Sequence, residues 1–552
     1  MTVDHTLCEV RPAGPARQLA RPSSSTIRNM TSAVRYCILA CILNTGLVAF
    51  ATRHSWAAEK PELTLLFPAG GQIGTSVDVV AQGKFPTWPL QTWTDSPHIQ
   101  WSCQAEAGKL QAVIGPDAEP GLHWLRLFDA NGASAARPYL VGSWPEASEV
   151  EPNDSVAQAQ AVPQLPFSMQ GILNKQADVD LFAVQLAQGQ LLAATLDSHK
   201  WLASPADASL QILSAQGFVL AENLDHVGLD PYLEFTAPHA GTYIVRVFGF
   251  PATPNSTIAF SGGSDWLYRL RLETEAAPLG CALDFSKQSE LAAAATPLAS
   301  DRHHTAAEAL PVELPARLRG TIAEERRSDF VSFQAQAKAH YRFSVLARDC
   351  GSALDASLTL YDADGKELKR IDDVGQNRDP LLDWQSPTDA TVVVSISDFH
   401  RLGGPQYGYF LQIQQRVADF SLSVASDIFH TQVGQELEIP ISIVRHLDFA
   451  EPLAVSLEGL PAGATCAAVE SLHGSDSAAT VTLKLTATEP IQKPLKIVAR
   501  ATAAPTAAVS ETEPASSPGR SPTPDSSVPV AASNSTQAQT ADGKPIWLSV
   551  AP

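Results

Sequence analysis

The sequence is poor in cysteine, in positive charge and in long apolar runs. Seven cysteines in 552 residues are too few for a disulfide-stapled scaffold. Asp and Glu outnumber Lys and Arg by 58 to 38, which gives a formal charge of -20, and an acidic chain binds nucleic-acid phosphates poorly. After the N-terminus, no segment approaches the roughly 20 apolar residues that a membrane helix needs. These features exclude a small disulfide-rich protein, a nucleic-acid-binding protein and a multi-spanning membrane protein.

Residues 1–57 have the pattern of an export signal. Five arginines precede a short, mostly apolar run from Tyr36 to Ala51, and small residues suited to cleavage occur at Ala49-Phe50-Ala51 or Ser55-Trp56-Ala57. This order predicts a secretory signal that is cleaved, and hence a periplasmic, cell-surface or extracellular protein. Two alternatives stay open at this point: a retained membrane anchor, and a true start at Met30.

Four cysteines follow the predicted signal, at positions 103, 281, 350 and 466. They are far apart and form no Cys-x-x-Cys pair, so a zinc site has no support. Export would permit a disulfide, with Cys281–Cys350 as one pairing, although the sequence alone does not assign it.

The body of the chain has the pattern of short β-strands. Leu122–Phe128 alternates in polarity and runs into the turn signal Asp129–Gly132, which predicts a hairpin. Thr242–Phe248 is rich in β-branched residues, which strands favour. The single candidate helix is short, at Ser286–Ala295. Closely spaced short strands of this kind are typical of β-sandwiches and barrels, so an all-β fold is predicted.

An internal repeat organises the middle of the chain. Ordered matches lie 149 residues apart: Gly171 with Gly320, Asp180 with Asp329, and Asp230-Pro231 with Asp379-Pro380. Tyr268 and Tyr409 match at 141, so the second copy is shorter in its last hairpin. Several matches in the same order at a nearly constant offset indicate two copies of one β domain.

Composition then divides the chain into segments. Between Ala501 and Gly543 there is no Phe, Trp, Tyr, Ile or Leu, so this stretch cannot bury a core and is predicted to be disordered. The predicted segments are a signal (1–57), a β domain (58–145), the first repeat (146–275), a linker (276–309), the second repeat (310–416), a β domain (417–500), the low-complexity segment (501–543) and a last apolar stretch (544–552). That last stretch fits either a closing strand of the preceding domain or an exposed tail.

Several motifs of the first repeat carry a resemblance to a known family: Glu149-Val-Glu151-Pro-Asn153-Asp154, Asp178-Val-Asp180-Leu-Phe182, Asp230-Pro231 and Ala240-Gly241-Thr242-Tyr243. Together they resemble the bacterial pre-peptidase C-terminal domain, a β-sandwich or jelly-roll module found behind secreted proteases and collagenases and in large exported proteins of planctomycete type. The flanking β domains look like Ig-like units. The resemblance implies tandem β-sandwich domains with flanking Ig-like sandwiches, and it is weaker for the second repeat, which lacks the acidic lead-in.

The resemblance also implies a calcium site, because this lead-in chelates calcium in the collagenase relatives. The implied ligands are Glu149, Glu151, Asn153 and Asp154, with Asp178 or Asp180 across the fold. Calcium takes six to eight oxygen ligands, and alternating carboxylates on an extended segment face one side. The alternative is a solvated acidic linker that starts a turn. Because Ala307–Leu318 has no matching motif, one site is predicted, in the first repeat alone.

No motif indicates an active site. Gly-x-Ser-x-Gly, His-Glu-x-x-His and the phosphate-binding Gly-x-x-x-x-Gly-Lys are all missing from the sequence. His303-His304 is expected to be solvent-exposed in a polar linker, and Asp362–Gly365 is expected to be a hairpin turn. Six aromatic residues are candidates for a binding face, although core packing is the favoured interpretation: Trp88, Trp93, Trp101, Tyr232, Phe248 and Phe250.

The sequence therefore predicts an exported, non-catalytic, multidomain protein that binds or scaffolds a protein or polysaccharide at the cell envelope. An accessory or targeting subunit of a secreted serine-type protease is the alternative, and a cryptic hydrolase is a third hypothesis. The sequence does not identify the ligand.

Overall fold

The computed structural model is nearly all β, which confirms the predicted fold class. The predicted signal, the predicted helix apart from Ala295, and Cys281 and Cys350 lie outside the residues that the structure describes, whereas Cys103 and Cys466 are free thiols. The described residues are 59–226, 228–253, 259–274, 295–299, 301–348, 352–375, 378–502, 535–540 and 543–552.

The first sandwich contains two facing sheets. Its strands are β1 (Glu62–Phe67), β2 (Gly70–Gln72), β3 (Ser76–Lys84), β4 (Gln91–Thr94), β5 (Ile99–Cys103), β6 (Lys109–Ile114), β7 (Gly121–Asp129), β8 (Gly132–Ala133) and β9 (Arg137–Gly142). One sheet has the order β1-β3-β6-β5 and the other β2-β9-β7-β4, with β8 paired to β7. The β7–β8 pairing confirms the predicted hairpin. Alternate residues of β6 face inward, and Leu110, Ala112 and Ile114 are all buried in the core.

The first repeat is a sandwich of two five-stranded sheets, β10-β12-β19-β14-β17 and β11-β13-β18-β15-β16. A 3-10 turn (Val156–Gln158) and one helical turn, α1 (His199–Leu202), interrupt its strands, which are β10 (Glu146–Ser148), β11 (Gln160–Ala161), β12 (Phe167–Ile172), β13 (Asp180–Leu186), β14 (Leu191–Asp197), β15 (Ala206–Ser214), β16 (Val219–Asn223), β17 (Tyr232–Thr236), β18 (Gly241–Pro251) and β19 (Leu267–Glu273).

The second repeat has the same topology, with the sheet orders β20-β22-β29-β24-β27 and β21-β23-β28-β25-β26. Its 3-10 turn is Ala306–Glu308, and its strands are β20 (Thr296–Pro297), β21 (Leu310–Pro311), β22 (Ala316–Thr321), β23 (Ser328–Ala335), β24 (His340–Leu346), β25 (Ala356–Tyr361), β26 (Glu367–Ile371), β27 (Leu381–Gln385), β28 (Ala390–Asp398) and β29 (Gly408–Arg416). Each strand therefore has a counterpart in the first repeat, and the sequence repeat is also a repeat of topology.

The last sandwich contains three sheets, β34-β36-β32-β30-β40, β31-β41-β37 and β35-β33-β38-β39. Its strands are β30 (Asp419–Val424), β31 (Ile428–Gln432), β32 (Leu437–His446), β33 (Leu453–Glu458), β34 (Ala464–Cys466), β35 (Val469–Ser471), β36 (Thr480–Ala487), β37 (Ile491–Pro494), β38 (Lys496–Ala501), β39 (Ser535–Gln537), β40 (Gln539–Thr540) and β41 (Trp547–Ala551). The apolar stretch at 544–552 thus supplies a strand, which pairs with β31 and β37.

The last strand also connects the two ends of the chain. Trp547 is buried, and its ring lies 5.6 Å from that of Trp93 and 5.2 Å from that of Phe128, both in the first sandwich. Arg126 is fully buried and donates to Asp427 Oδ2 at 3.0 Å and to the Pro545 carbonyl oxygen at 3.1 Å. The first and last sandwiches therefore contact each other directly.

The first sandwich also packs against the first repeat. At this interface but within the repeat, Arg269 on β19 and Glu146 on β10 form a buried ion pair, with Arg269 Nε donating to Glu146 Oε1 at 2.8 Å and Nη2 to Oε2 at 2.9 Å. The Ala69 N–H of the first sandwich donates to Gln170 Oε1 on β12 at 2.6 Å. A buried bidentate pair of this kind fixes geometry at the start of the repeat.

The six candidate aromatic residues all contact other rings, and Trp88 and Trp101 pack against the core of the first sandwich, as the favoured interpretation predicts for these two. Trp88 pairs with Phe85, Trp101 with Tyr139, and Phe248 with Phe250. Tyr232 lies against His226, and each of the six is buried or half-buried. Within the described ranges, no helix is long and apolar enough to cross a membrane.

The buried contact of Trp547 predicts a large effect of its removal. Truncation in Trp547→Ala should lower the free energy of unfolding by about 3–5 kcal/mol, because it opens a cavity between the two sandwiches. Urea denaturation measures this change. The matched control is Trp144→Ala, since Trp144 is 38% exposed and should lose less than about 1 kcal/mol. Equal losses in the two variants would show that the contact contributes little.

Candidate metal centre

The acidic lead-in crosses from one sheet of the first repeat to the other. We call residues 149–155 the crossing segment. Before it, β10 runs parallel to β12, and after it, β11 runs parallel to β13. The Glu149 N–H donates to the Gln170 carbonyl at 2.8 Å, and the Leu181 N–H donates to the Asn153 carbonyl at 3.1 Å. These backbone bonds hold the crossing segment against β12 and the start of β13.

Oxygen atoms from both sides converge there. Carboxylate oxygens of Glu151, Asp178 and Asp180 all lie within 4.8 Å of one another. Asp178, Asp180 and Asn153 are fully buried. A buried carboxylate needs a compensating cation, proton or hydrogen bonds, because its desolvation is costly.

The amide of Asn153 faces two of these carboxylates. With its nitrogen toward them, it donates to Glu151 Oε2 at 3.3 Å and to Asp180 Oδ1 at 3.0 Å. In the opposite orientation, three oxygen atoms face one another with no proton between them. A cation among the oxygens, or a proton on one of the carboxylates, would make that second orientation favourable, so the amide can serve either as a donor or as a metal ligand.

Glu149 and Asp180 share one tyrosine hydroxyl. The Tyr268 oxygen lies 2.8 Å from Glu149 Oε2 and 2.6 Å from Asp180 Oδ2, and its single proton can be donated to one carboxylate at a time. Glu149 Oε1 also accepts from the Ile172 N–H at 2.6 Å. Burial raises the pKa of Asp180, and the neighbouring Glu149 raises it further. Burial also raises the pKa of Glu149.

A lysine that the sequence analysis did not single out lies at the edge of the cluster. Lys175 Nζ is 3.0 Å from Asp154 Oδ1, 3.3 Å from Asp178 Oδ1 and 3.7 Å from Glu151 Oε1. The bond to Asp154 is the largest cause of the raised pKa of Lys175. The side chain is half exposed, so water screens much of this attraction. Its place three residues before Asp178 was the signal that could have indicated it.

The six predicted ligands therefore separate into three groups. Glu151, Asn153, Asp178 and Asp180 converge on one point. Glu149 lies behind Asp180 and reaches it through the shared tyrosine hydroxyl. Asp154 faces Lys175 instead.

The repeated glycine is explained by the tyrosine opposite it. Gly171 on β12 pairs with Tyr268 on β19. A Cβ at position 171 would lie 2.2 Å from the Tyr268 hydroxyl oxygen and 2.6 Å from Glu149 Oε2. In the second repeat, a Cβ at Gly320 would lie 2.4 Å from the Tyr409 hydroxyl oxygen. Glycine leaves the space through which each tyrosine reaches a buried aspartate.

The second repeat retains the tyrosine and aspartate but has different neighbours. Tyr409 donates to Asp329 Oδ2 at 2.7 Å. His304 Nδ1 lies 3.2 Å from Asp329 Oδ1, and its side chain is only 15% exposed. The prediction that both His303 and His304 are solvent-exposed is therefore wrong, because His304 contacts a buried carboxylate. The segment equivalent to the crossing segment contains residues 301–304. It therefore precedes the Ala307–Leu318 stretch, in which the sequence analysis looked for a matching motif.

The other repeated aspartates have a structural role. Asp230 accepts from the backbone N–H groups of Ser198, His199 and Lys200 at 3.2, 2.7 and 3.1 Å. Asp379 likewise accepts from two consecutive N–H groups. Asp230 anchors the loop after β14, and Asp379 anchors the loop after β24. This structural role explains the repeated Asp-Pro, and no bound ligand is needed.

The string Asp362–Gly365 is a turn, as predicted. Asp362 Oδ1 accepts from the Asp364 N–H at 3.0 Å and from the Lys366 N–H at 2.9 Å. Gly365 has a φ of +80°, a conformation that favours glycine.

Comparison with known proteins finds partial similarities. No family model matches the chain. A curated protein of Deinococcus radiodurans named "Probable subtilase-type serine protease" is 30% identical over 200 residues, which are 35% of this chain and 26% of that protein. The chain thus spans about a quarter of the length of this curated relative.

Solved structures align with part of the fold at low similarity. The pre-peptidase C-terminal domain of a Bacillus anthracis collagenase aligns at 12% identity and a TM-score of 0.17, over 19% of this chain and 95% of that domain. A periplasmic inhibitor of g-type lysozyme from Aeromonas hydrophila, PliG, aligns at 13% identity and a TM-score of 0.16, over 20% of this chain and 96% of that protein.

The close approach at Gly171 predicts that a methyl group there disrupts the cluster. We expect Gly171→Ala to lower the free energy of unfolding by about 1–3 kcal/mol, because the added Cβ must displace Tyr268 from Asp180. Urea denaturation tests this. Gly241→Ala is the matched control in the same repeat, since a Cβ at Gly241 meets no atom within 4 Å. Similar losses of stability in both variants would contradict the close approach of Tyr268 to Gly171.

Proposed function

We propose that the chain is an exported, non-catalytic scaffolding or binding protein of the cell surface or periplasm, and that Ca²⁺ stabilises its first repeat. The observation that carries the proposal is the convergence of oxygen atoms from the half-buried Glu151 and the buried Asn153, Asp178 and Asp180 at one end of the repeat.

The geometry of this cluster fits calcium. Ca²⁺ lies about 2.3–2.6 Å from each ligand, so two oxygens on one ion are at most about 5 Å apart. The three carboxylates meet this limit, since their oxygens lie within 4.8 Å of one another. The donors are all oxygen atoms, a set that suits a hard cation rather than zinc. Waters and the carbonyl groups of the crossing segment would supply the remaining ligands.

The charges of the cluster support the same ion. Asp180 is fully buried beside Glu149, and its closest hydrogen-bond donors are a shared tyrosine hydroxyl and, in one orientation, an amide. Lys175 contacts the outer carboxylates at the exposed edge. A divalent cation at the convergence point would compensate the inner charge that Lys175 leaves uncompensated.

Bound calcium would have a mechanical effect. It would connect the crossing segment to the β12–β13 loop and the start of β13, and so join the two sheets at the end where β10 enters. The same end carries the Arg269–Glu146 pair beside the first sandwich. Calcium would therefore stiffen the entry to the repeat.

The serine–histidine contacts support a non-catalytic role. Ser549 Oγ lies 2.9 Å from His430 Nδ1, but Ser549 is fully buried and inaccessible to a substrate. Ser421 Oγ lies 3.1 Å from His446 Nε2. Among the described residues, no carboxylate bonds the other nitrogen of His446, whereas a catalytic triad uses such a group to orient its histidine.

A second candidate function is that of an accessory or targeting subunit of a secreted protease. The 200-residue similarity to the subtilase-type protein favours it, since it places related sequence in a peptidase chain. Affinity purification of the tagged chain from its native envelope separates the two functions. Co-purifying serine-peptidase activity that a serine-specific inhibitor abolishes would support the accessory role.

The cluster predicts saturable calcium binding with a defined mutational pattern. In calorimetric titration of the full mature chain, we expect one Ca²⁺ per molecule. Asp178→Asn and Asp180→Asn should each weaken binding at least tenfold, because each removes a buried charged ligand. Lys175→Gln should tighten binding several-fold, because it removes a nearby positive charge.

Asp154→Asn provides the matched control for these variants. Asp154 faces Lys175 and does not converge with the buried carboxylates, so its substitution should leave the stoichiometry at one. No heat of binding, together with a melting temperature that chelator does not change, would reject the calcium site.

The buried carboxylates also predict a pH dependence that calcium removes. Because the pKa of Asp180 is raised on folding, the metal-free folded chain keeps a proton that the unfolded chain releases. The free energy of unfolding should therefore fall as the pH rises from about 5 to 8, by up to about 1.4 kcal/mol per pH unit for one proton. Urea denaturation in chelator measures this slope. Saturating Ca²⁺ should flatten it, and so should Asp180→Asn in chelator; a wild-type chain with no slope in chelator would contradict the interpretation.

A further inference from the structure

The second repeat contains a segment that is equivalent to the crossing segment. The Leu181 N–H donates to the Asn153 carbonyl in the first repeat, and the Phe330 N–H donates to the His303 carbonyl in the second, at 2.7 Å. A 3-10 turn and a short parallel strand follow in both repeats. His303 and His304 therefore occupy the chain positions of Asn153 and Asp154, and Asp301 that of Glu151.

The loops that complete the cluster are also equivalent. Ala177 and Arg326 have nearly the same left-handed backbone conformation, with φ of 62° and 61°. The next residue is Asp178 in the first repeat and Arg327 in the second. The lysine at position 175 has Glu324 as its counterpart, so the sign of the charge is reversed at two positions of the loop.

These exchanges change the surroundings of the central aspartate. Both aspartates accept from a tyrosine hydroxyl. Asp180 also has the carboxylates of Glu149 and Asp178 as neighbours, whereas Asp329 has His304 at 3.2 Å. Burial raises the pKa of Asp329, and the tyrosine, His304 and the positive charge of Arg327 all oppose that rise. Arg327 Nη1 also lies 3.3 Å from Glu324 Oε1.

The two clusters therefore differ in overall charge. The first contains five carboxylates and one lysine: Glu149, Glu151, Asp154, Asp178, Asp180 and Lys175. The second contains three carboxylates, one arginine and one histidine: Asp301, Glu324, Asp329, Arg327 and His304. The second cluster therefore has two carboxylates fewer than the first, and a guanidinium stands at the position that the Asp178 carboxylate has in the first.

We propose that Arg327 and His304 take the place of a metal ion in the second repeat and exclude calcium from it. The comparison with a metal rests on the calcium site proposed for the first repeat, whereas the charge balance within the second repeat does not. The two repeats thus present the same fold with two ways of stabilising a buried aspartate. Only the first would respond to the calcium concentration.

Removal of the Arg327 and His304 side chains tests their role in stabilising Asp329. The double variant Arg327→Gln, His304→Asn should lower the melting temperature of the full chain by several degrees, and by the same amount in chelator and in excess Ca²⁺. Arg319→Gln is the matched control, because Arg319 is an exposed arginine on β22 of the same repeat. A double variant that melts like this control would overturn the proposal.

A graft tests the exclusion of calcium. The triple variant His303→Asn, His304→Asp, Arg327→Asp gives the second cluster the residue types of the first, with Asp301 and Asp329 retained. Calorimetric titration of the full chain should then show two Ca²⁺ per molecule instead of one. A wild-type chain that binds two ions, or a folded graft that still binds one, would overturn the proposal.

The same titration separates failure of this inference from failure of the proposed function. If the wild-type chain binds no calcium and the graft binds one ion, the first-repeat site is rejected while the exclusion by Arg327 and His304 stands. If neither chain binds calcium although both fold, the exclusion is rejected as well. If the graft does not fold, the melting of the double variant decides the proposal.

Discussion

A buried tyrosine hydroxyl that donates to a buried aspartate is the interaction around which each repeat is built. Tyr268 reaches Asp180 at 2.6 Å and Tyr409 reaches Asp329 at 2.7 Å. The bond crosses the core from one sheet to the other. Each tyrosine lies on the middle strand of one sheet, β19 or β29, and each aspartate lies at the start of a strand in the other sheet, β13 or β23. The bond requires a glycine opposite the ring, and it places a carboxylate where water cannot solvate it. Both repeats supply the glycine in the same way, but they compensate the buried carboxylate differently.

The buried negative charge of this aspartate must be balanced by the groups around it, and these groups differ between the two repeats. One neutral hydrogen bond does not balance a desolvated charge, whose transfer from water costs several kcal/mol. In the second repeat, the Asp329 carboxylate contacts His304, and the guanidinium of Arg327 supplies positive charge from the same chain. In the first repeat, the nearest groups to Asp180 are acidic, and burial raises the pKa of both Asp180 and Glu149. A cluster of this sign folds with a bound proton or a bound cation, so its stability depends on solution conditions.

The fold class could be predicted from local strand patterns, and the repeat from ordered matches at a nearly constant offset. The acidic cluster was predicted through the family resemblance that its motifs carry. Gly171 and Asp180 were identified through their equal spacing of 149 residues to Gly320 and Asp329, and Tyr268 through its match with Tyr409 at 141 residues. The equivalence of Asp154 with His304 could not be found in this way, because an inserted residue shifts the offset and the residue types change sign. Lys175 was missed for a related reason: a lysine before an aspartate is common, and only the folded loop shows which carboxylates its ammonium group contacts.

The contact between the ends of the chain had no sequence signal at all. Arg126 and Asp427 are 301 residues apart, and neither belongs to a motif. Their ion pair forms because β41 completes the last sandwich and carries Trp547 to the surface of the first. A buried arginine stabilises such a contact when its charge and its terminal nitrogens are satisfied. Nη1 of Arg126 donates to the Ser134 carbonyl, and Nη2 donates to Asp427 and to the Pro545 carbonyl. The last strand thus contributes to two interfaces at once, so the position of the first sandwich depends on residues at the opposite end of the sequence.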